Sequence, residues 1–278
     1  MAWFRKKESA APVSAANRDV FIQCRSCNAH VFREEWEKRI KVCPRCNDHG
    51  RLTAMERLEL LIDKGTFKEL GKEIKPGDPL NFSDGRGKYT DKADEARKKT
   101  GMNEAVLAGH GQLDGIHTAI SIMDFRFLGG SLGGSTGEKI LLTTEYAVSR
   151  KLPCIIVSAS GGARMHEGIV SLMQMAKTCA GIARLRRRQL PLISVLSDPT
   201  TGGVSASYAM VGDFHIAEPG TMIGFAGRRV IEQTIKQKLP DDFQTAEYLQ
   251  QHGFIDCIVN RGEMKSLLHR LLVYCGCD

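Results

Sequence analysis

The sequence predicts an α/β fold with substantial parallel strand pairing, preceded by a small unit built around a metal. Three observations carry this. From residue 105 onward, short apolar runs of strand length alternate with longer runs of helical period. Two double-glycine turns follow successive strand candidates. Near the N-terminus, two Cys-x2-Cys knuckles stand 15 residues apart, at Cys24, Cys27, Cys43 and Cys46.

The chain has 278 residues, 26% charged and 42% hydrophobic, the balance of an ordinary globular protein. No apolar stretch approaches the roughly 20 residues of a membrane span, and the basic start Met1–Glu8 carries no export signal. Nine cysteines in such a chain point to thiols or metal ligands in a reducing compartment, so a cytoplasmic location is expected. The net charge of +7 leans mildly toward acidic or phosphorylated partners; solubility explains it as well.

In chain order, residues 1–20 read as a flexible tail and 21–51 as the four-cysteine unit. Residues 52–104 read as a linker and helical connection, and 105–278 as the main domain. A thiolate pair from each knuckle spans one edge of a tetrahedron, and four sulfurs close the shell, which describes a structural Zn2+. Free thiols, two disulfides and an iron–sulfur centre are the alternatives. Basic residues (Arg25, Arg33, Lys38, Arg39, Lys41, Arg45, Arg51, with His30) interleave with Glu34, Glu35, Glu37 and Asp48, the pattern of a solvated mixed face.

A helix is predicted over 53–64, with Thr53 and Glu56 as a capping box and Met55, Leu58, Leu61 and Ile62 on its apolar side. The Gly, Pro, Asp and Lys content of 71–104 predicts weak structure. Asp114-Gly115 joins strands 105–113 and 116–125 as a hairpin. A glycine-dense loop at 129–134 leads to a helix at 136–151. Strand 153–158, the turn Ser160-Gly161-Gly162 and a helix over 165–189 follow. That helix carries Ile169, Leu172, Met173, Ala176, Cys179, Ile182, Ala183 and Leu185 at helical spacing. Strand 191–196 leads into Asp198-Pro-Thr-Thr-Gly202-Gly203 and a short helix at 204–211. Strands at 215–217 and 222–225, helices at 229–238 and 244–252, a strand at 254–259 and a helix at 262–274 complete the chain.

The chemistry is expected at the two glycine turns. A helix start offers unpaired N–H groups, and glycine lets a ligand oxygen approach them, which makes an oxyanion site. Neither turn matches a phosphate-loop or GxGxxG pattern, and Ser160 lacks a hydrolase context. His110, His117, His166 and His215 are scattered; only His166 lies near a glycine turn. A substrate or cofactor therefore supplies the base. Cys154, Cys179 and Cys257 read as core residues, and the Arg184, Arg186, Arg187, Arg188 cluster as charge suited to a helix C-terminus.

Taken together, the paired knuckles, Ser158-Ala-Ser-Gly-Gly-Ala-Arg-Met165, Ser171-Leu-Met-Gln-Met-Ala-Lys177, the run from Ser194 to Ser207, Ala217-Glu-Pro219, Ile223-Gly-Phe-Ala-Gly227 and Val230-Ile-Glu-Gln-Thr234 closely resemble one family. It is the carboxyltransferase β subunit of bacterial and plastid-type acetyl-CoA carboxylase, and the resemblance spans nearly all of 21–270. It implies a crotonase-like spiral core with an N-terminal zinc ribbon lying over a CoA-binding cleft. It implies transfer of a carboxyl group from carboxybiotin, borne on a biotin carboxyl carrier protein, to acetyl-CoA. The product is malonyl-CoA, for fatty-acid biosynthesis. Implied partners are an α subunit of related fold in an α2β2 heterotetramer, the carrier protein and biotin carboxylase. By this resemblance Gly202 and Gly203 supply one oxyanion hole, and Gly161, Gly162, Ala163 and Arg164 shape the acyl-CoA cleft. The chain departs from the family at Arg228, where Pro is common, at His166, where Gln is common, and at Ser197, where Thr is frequent.

Overall fold

The computed structural model describes residues 20–277 and divides after Gly50 into two compact units. The expected tail lies outside the described residues up to position 19.

In the smaller unit, β1 (Phe21–Gln23) pairs antiparallel with β2 (His30–Phe32), and a short helix α1 (Arg33–Lys38) follows. Val31 and Trp36 pack with Cys24 and Cys43 into a core of four buried residues. So small a cluster buries too little apolar surface to hold a fold unaided.

The larger unit opens with α2 (Ala54–Leu61). The capping box forms as predicted: Glu56 N–H donates to Thr53 Oγ1 at 3.1 Å, and Thr53 N–H donates to Glu56 Oε2 at 2.8 Å. Met55, predicted on the apolar side, is exposed instead. Then come β3 (Lys68–Glu69), a small hairpin of β4 (Ser83–Asp84) and β5 (Gly87–Lys88), and α3 (Tyr89–Thr100). This corrects the expectation of weak structure over 71–104. α3 is hydrophilic in composition, but it buries Tyr89, Ala93 and Ala96 on one side and stops at Gly101 with φ 72°.

β6 (Val106–Leu113) and β7 (Ile116–Met123) form the predicted hairpin, with left-handed φ at both Asp114 and Gly115, as a two-residue turn of this hand requires. Next are α4 (Gly134–Arg150), β8 (Cys154–Ser160), α5 (Ile169–Arg187) and β9 (Leu192–Thr201). β10 (Phe214–Ala217), β11 (Ile223–Gly224), α6 (Arg228–Ile235), α7 (Ala246–Gln251), β12 (Cys257–Ile258) and α8 (Met264–Tyr274) complete the unit.

The main sheet runs β12-β10-β9-β8-β7-β6-β3, with β11 pairing the far end of β9. Pairings from β7 through β12 are parallel, and those of β6 with β7 and β3 are antiparallel. β8 is buried on both faces, and its residues alternate between two cores. Cys154 and Ile156 join Ile140, Ile182 and Leu185 on the α4–α5 side. Ile155 and Val157 join Leu58, Leu61, Leu268 and Leu272 on the α2–α8 side. Parallel strands all end at one edge, so the loops after β8 and β9 meet there.

Two predicted helices change form. Residues 165–189 break at Gly168 (φ 54°), leaving a 3-10 turn Met165–Glu167 before α5. Over 204–211 only a 3-10 turn Tyr208–Met210 forms. Ser205 and Ser207 hydroxyls accept no helix there; they donate to turn carbonyls, and Ser207 Oγ lies 2.6 Å from Gly203 O.

Across the base of the second core, the buried Glu218 carboxylate binds two buried arginines. Arg57 approaches both its oxygens, Nη2 at 3.2 Å from Oε2; Arg261 donates from Nε at 2.9 Å and Nη2 at 2.8 Å. This ties α2 and the turn before α8 to the end of β10.

Candidate active site and metal centre

Within the smaller unit the two knuckles have the same local geometry. Asn28 N–H donates to Cys24 O at 3.0 Å and Asn47 N–H to Cys43 O at 2.9 Å, both asparagines with left-handed φ. The four Sγ atoms lie within 4.8 Å of one another, with Cys24–Cys46 at 3.6 Å and Cys27–Cys43 at 3.9 Å. Four sulfurs at about 2.3 Å from a tetrahedral ion sit about 3.8 Å apart. The donor set therefore fits a thiolate-bound metal. The sulfurs are too far apart for a disulfide, whose bond is about 2.05 Å.

In the larger unit, the ladder between β8 and β9 shifts register between Ser158 and Ser160, and beyond it the two glycine turns face each other. Gly162 has φ 115° and Gly202 has φ 64°, both in the region that favours glycine. A Cβ on Gly202 would sit 3.0 Å from Gly162 Cα; one on Gly162 would sit 3.3 Å from Gly202 Cα. The contact is backbone on backbone, and only glycine at both positions allows it. Gly203 stands beside Ala163, with Met175 Sδ against it.

The amides of these turns divide sharply. Gly161 N–H donates to Gly129 O at 2.9 Å, and Gly162 N–H to Ser160 Oγ at 3.0 Å. Gly202 N–H lies 3.0 Å from Gly224 O and 3.1 Å from Phe225 O. This corrects the reading of Gly202 as a donor: its amide is satisfied inside the protein, and its part is to turn the chain. Gly203 N–H and Ala163 N–H meet no acceptor among the described residues. Neither turn runs directly into an α-helix, so these donors arise from turn geometry and not from a helix dipole. The Ser160 hydroxyl is engaged within its own turn, accepting from Gly162 N–H.

Arg164 was expected to line the acyl-CoA cleft, but its guanidinium is buried. Nη1 and Nη2 reach the two oxygens of Glu104 at 2.9 and 2.5 Å, Nε reaches Ser131 Oγ at 3.0 Å, and Nη2 reaches Ser131 O at 2.8 Å. Burial alone would lower the arginine's pKa; the Glu104 carboxylate overrides it and holds Arg164 firmly charged. The same partner keeps Glu104 ionised despite its burial. Arg164 N–H also donates to Leu132 O, and Leu132 N–H to Gly162 O, so this ion pair pins the turn that carries Ala163. Glu167 completes the support: it accepts from Tyr89 OH at 2.6 Å and from Gly134 N–H at 2.6 Å. Glu104 and Tyr89 lie 60 and 75 residues from Arg164, and no local pattern marks them.

His166 stacks on Tyr89 at 4.9 Å and meets Phe82 edge-on at 5.2 Å. Burial, and then Lys92 and Arg164, depress its pKa, so the ring is neutral near pH 7. Ser197 Oγ donates to Ser158 O at 2.7 Å, a bond that threonine can make equally. Arg228 opens α6 and clamps the loop beyond it, donating to Leu239 O at 3.1 Å, to Asp241 O at 2.9 Å and to Pro240 O, with Glu232 3.6 Å away. No helix among the described residues is long and apolar enough to cross a membrane.

The profile of the family described as Carboxyl transferase domain matches residues 45–263. The acetyl-coenzyme A carboxylase carboxyl transferase subunit beta of Clostridioides difficile (strain 630) is 54% identical over 249 residues, covering 90% of this chain and 86% of that protein. The protein of the same name from Citrifermentans bemidjiense is 48% identical and covers 98% of both. Among solved structures, transcarboxylase 12S with methylmalonyl-coenzyme A and methylmalonic acid bound matches with a TM-score of 0.69 at 26% identity. That match covers 87% of this chain but only 44% of the transcarboxylase chain. The Pseudomonas malonate decarboxylase MdcD–MdcE hetero-dimer shares the fold, with a TM-score of 0.61 at 24% identity over 81% of this chain and 86% of that one. The core is thus crotonase-like, and the chain belongs to the carboxyl transferase family, among its acetyl-coenzyme A carboxylase β subunits.

Proposed function

We propose that this chain carries one half of the active site of a biotin-dependent acetyl-CoA carboxyltransferase, with Gly203 N–H as its principal donor. Carboxyl transfer from carboxybiotin to acetyl-CoA gives malonyl-CoA. In the reaction the acetyl methyl group loses a proton and its carbon bonds to the carboxyl carbon. The N–C bond of carboxybiotin breaks, its electron pair returns to the ureido group, and biotin leaves with the methyl proton. Negative charge develops on the thioester oxygen and on the ureido oxygen. A fixed N–H aimed at either oxygen contributes about 10²–10³ in rate, or about 2.7–4 kcal/mol.

The single observation that carries this reading is the Gly203 amide, without an acceptor among the described residues and beside the equally unpaired Ala163 amide. Gly202 and Gly162 hold the two turns in contact, and Gly161 and Gly162 shape the acyl-CoA cleft. Glu104, Arg164 and Glu167 act as positioning residues beneath Ala163. The neutral, stacked His166 is not needed as a base, because biotin takes the proton.

One oxyanion needs donors beyond these two amides. A separate α subunit of like fold supplies them in an α2β2 assembly. The transcarboxylase chain, of which this chain covers less than half, is long enough to hold such a second half in one polypeptide. The carboxyl group arrives on a biotin carboxyl carrier protein, charged by biotin carboxylase. Cys24, Cys27, Cys43 and Cys46 hold one Zn2+, which stabilises the small unit and has no open position for chemistry. The thiol-rich sequence suits a cytoplasmic enzyme.

The test is malonyl-CoA-dependent carboxylation of a biotin analogue. The chain mixed with a cognate α subunit should be active, and the chain alone inactive. Activity of the isolated chain would refute the shared site.

A further inference from the structure

Gly203 is buried, yet its N–H and that of Ala163 have no acceptor among the described residues. The two donors sit on turns that follow different strands, so their mutual placement must be held from more than one side. The backbone contact of Gly162 with Gly202 holds one side. On the other side stands a single long side chain, Met175. A Cβ on Gly203 would sit 3.2 Å from Met175 Sδ, 3.7 Å from its Cγ and 3.8 Å from Ala163 Cβ. Met175 and the Ala163 turn together close the space behind Gly203.

The setting of α5 brings Met175 to this place. The helix starts shortly after Arg164, and helical side chains lean back toward the helix N-terminus, here toward the glycine turns. The helix itself is fixed. A Cβ on Gly181 would sit 2.5 Å from Thr144 Oγ1, so α5 lies tight on α4. Ser171 Oγ donates to Leu132 O at 2.7 Å, and Leu132 N–H donates to Gly162 O at 2.8 Å. Thr178 Oγ1 lies 2.9 Å from Gln174 O and 3.1 Å from Met175 O. Met175 itself is half-buried against the first core. One helix thus reaches both turns, the first through Ser171 and Leu132, the second through Met175.

The residue type matters as much as the place. A thioether is long, adaptable and a weak acceptor, so it fills the space without capping the Gly203 N–H. Glutamine, of similar length, would carry a strong acceptor to the same spot. Alanine would leave a gap into which the turn could relax.

We propose that Met175 is a positioning residue of the carboxyltransferase site. Its thioether backs Gly203 and holds the two free amides in register while offering them no competing acceptor. The proposal rests on the reading of Gly203 as a donor.

Met175→Leu, Met175→Gln and Met175→Ala test it, each assembled with saturating cognate α subunit and assayed by malonyl-CoA-dependent carboxylation of a biotin analogue. Leucine conserves bulk and should keep kcat within about threefold. Glutamine and alanine should lower kcat by about ten- to a hundredfold with KM nearly unchanged, because a mis-aimed donor is missed only in the transition state. Adding Gly203→Ala to Met175→Ala should restore part of the loss, since the new Cβ enters the vacated space. Ile182→Ala, in the same core and on the same helix, should lower the thermal midpoint without this loss of kcat. The proposal is overturned if glutamine and alanine match leucine, if KM rises while kcat holds, or if the double variant is slower than Met175→Ala. An equal fall in kcat for Ile182→Ala also overturns it, since general packing would then be the cause. Retained turnover of Gly203→Val, in contrast, refutes the donor reading beneath it.

Discussion

Alanine at Gly202 should damage catalysis more than alanine at Gly203, although Gly203 carries the amide proposed as the donor. At Gly202 an L-residue must adopt φ 64°, at a cost of about 1–2 kcal/mol. Its Cβ would also meet Gly162 Cα at 3.0 Å, a backbone atom that can yield only if both turns move. Such a shift re-aims the next amide. Loss of one aligned donor costs about 10²–10³ in kcat. Alanine at Gly203 leaves the N–H in place, and its Cβ meets only the flexible end of Met175, Sδ at 3.2 Å. A loss within about tenfold is expected, since one side-chain rotamer can adjust. Steady-state turnover of the assembled enzyme, with thermal melts to verify folding, compares the two. If both variants fold and Gly203→Ala is the slower, the division between a turning residue and a donating one is wrong.

Four further outcomes are expected. Gly203→Val, whose branches run into Met175 and Ala163, should abolish turnover with bound metal unchanged; retained turnover removes Gly203 from the site. Glu218→Gln should destabilise the larger unit by about 3–5 kcal/mol in urea melts, because two buried arginines lose their counter-charge. Arg57 and Arg261 hold the Glu218 pKa far below its unfolded value despite burial, so its stabilisation is present above about pH 4.3 and fades on acidification below it. The gap between wild type and variant should narrow accordingly. Tyr208→Phe removes a buried hydroxyl without a partner among the described residues, and should leave the midpoint unchanged or raise it by the equivalent of about 1 kcal/mol. Finally, a strong chelator should release one metal per chain and shift the fluorescence of Trp36, buried beside the cysteines; unchanged emission after metal loss would mean the ion is not structural.

What the sequence made legible was local. The knuckle spacing, the Thr53–Glu56 box and the Asp114-Gly115 turn each act within a few residues. The double glycines also marked where the loops after β8 and β9 come together. What stayed hidden depends on distant partners. α3 escaped notice because its buried side is Tyr89 and two alanines in a Lys- and Asp-rich stretch. Arg164, next to a glycine turn, read as a ligand contact, yet Glu104 claims it from 60 residues away. The Gly202 amide looked available until Gly224 and Phe225 returned to cover it. In α5 the apolar spacing holds for Ile182 and Leu185, which are buried, but in the first half Ile169, Leu172 and Met173 face outward, because close contact with α4, and not hydrophobicity, decides which residues turn inward there.

The two arginines on Glu218 also order events during synthesis. Arg57 leaves the ribosome long before Glu218, 161 residues on, and Arg261 follows only 43 residues later. Until then the nascent chain owns a carboxylate that is half matched and a sheet edge still awaiting its outermost strand. Premature stop codons or nicks before Arg261 should therefore yield fragments that quality-control proteases clear, while full-length chains escape.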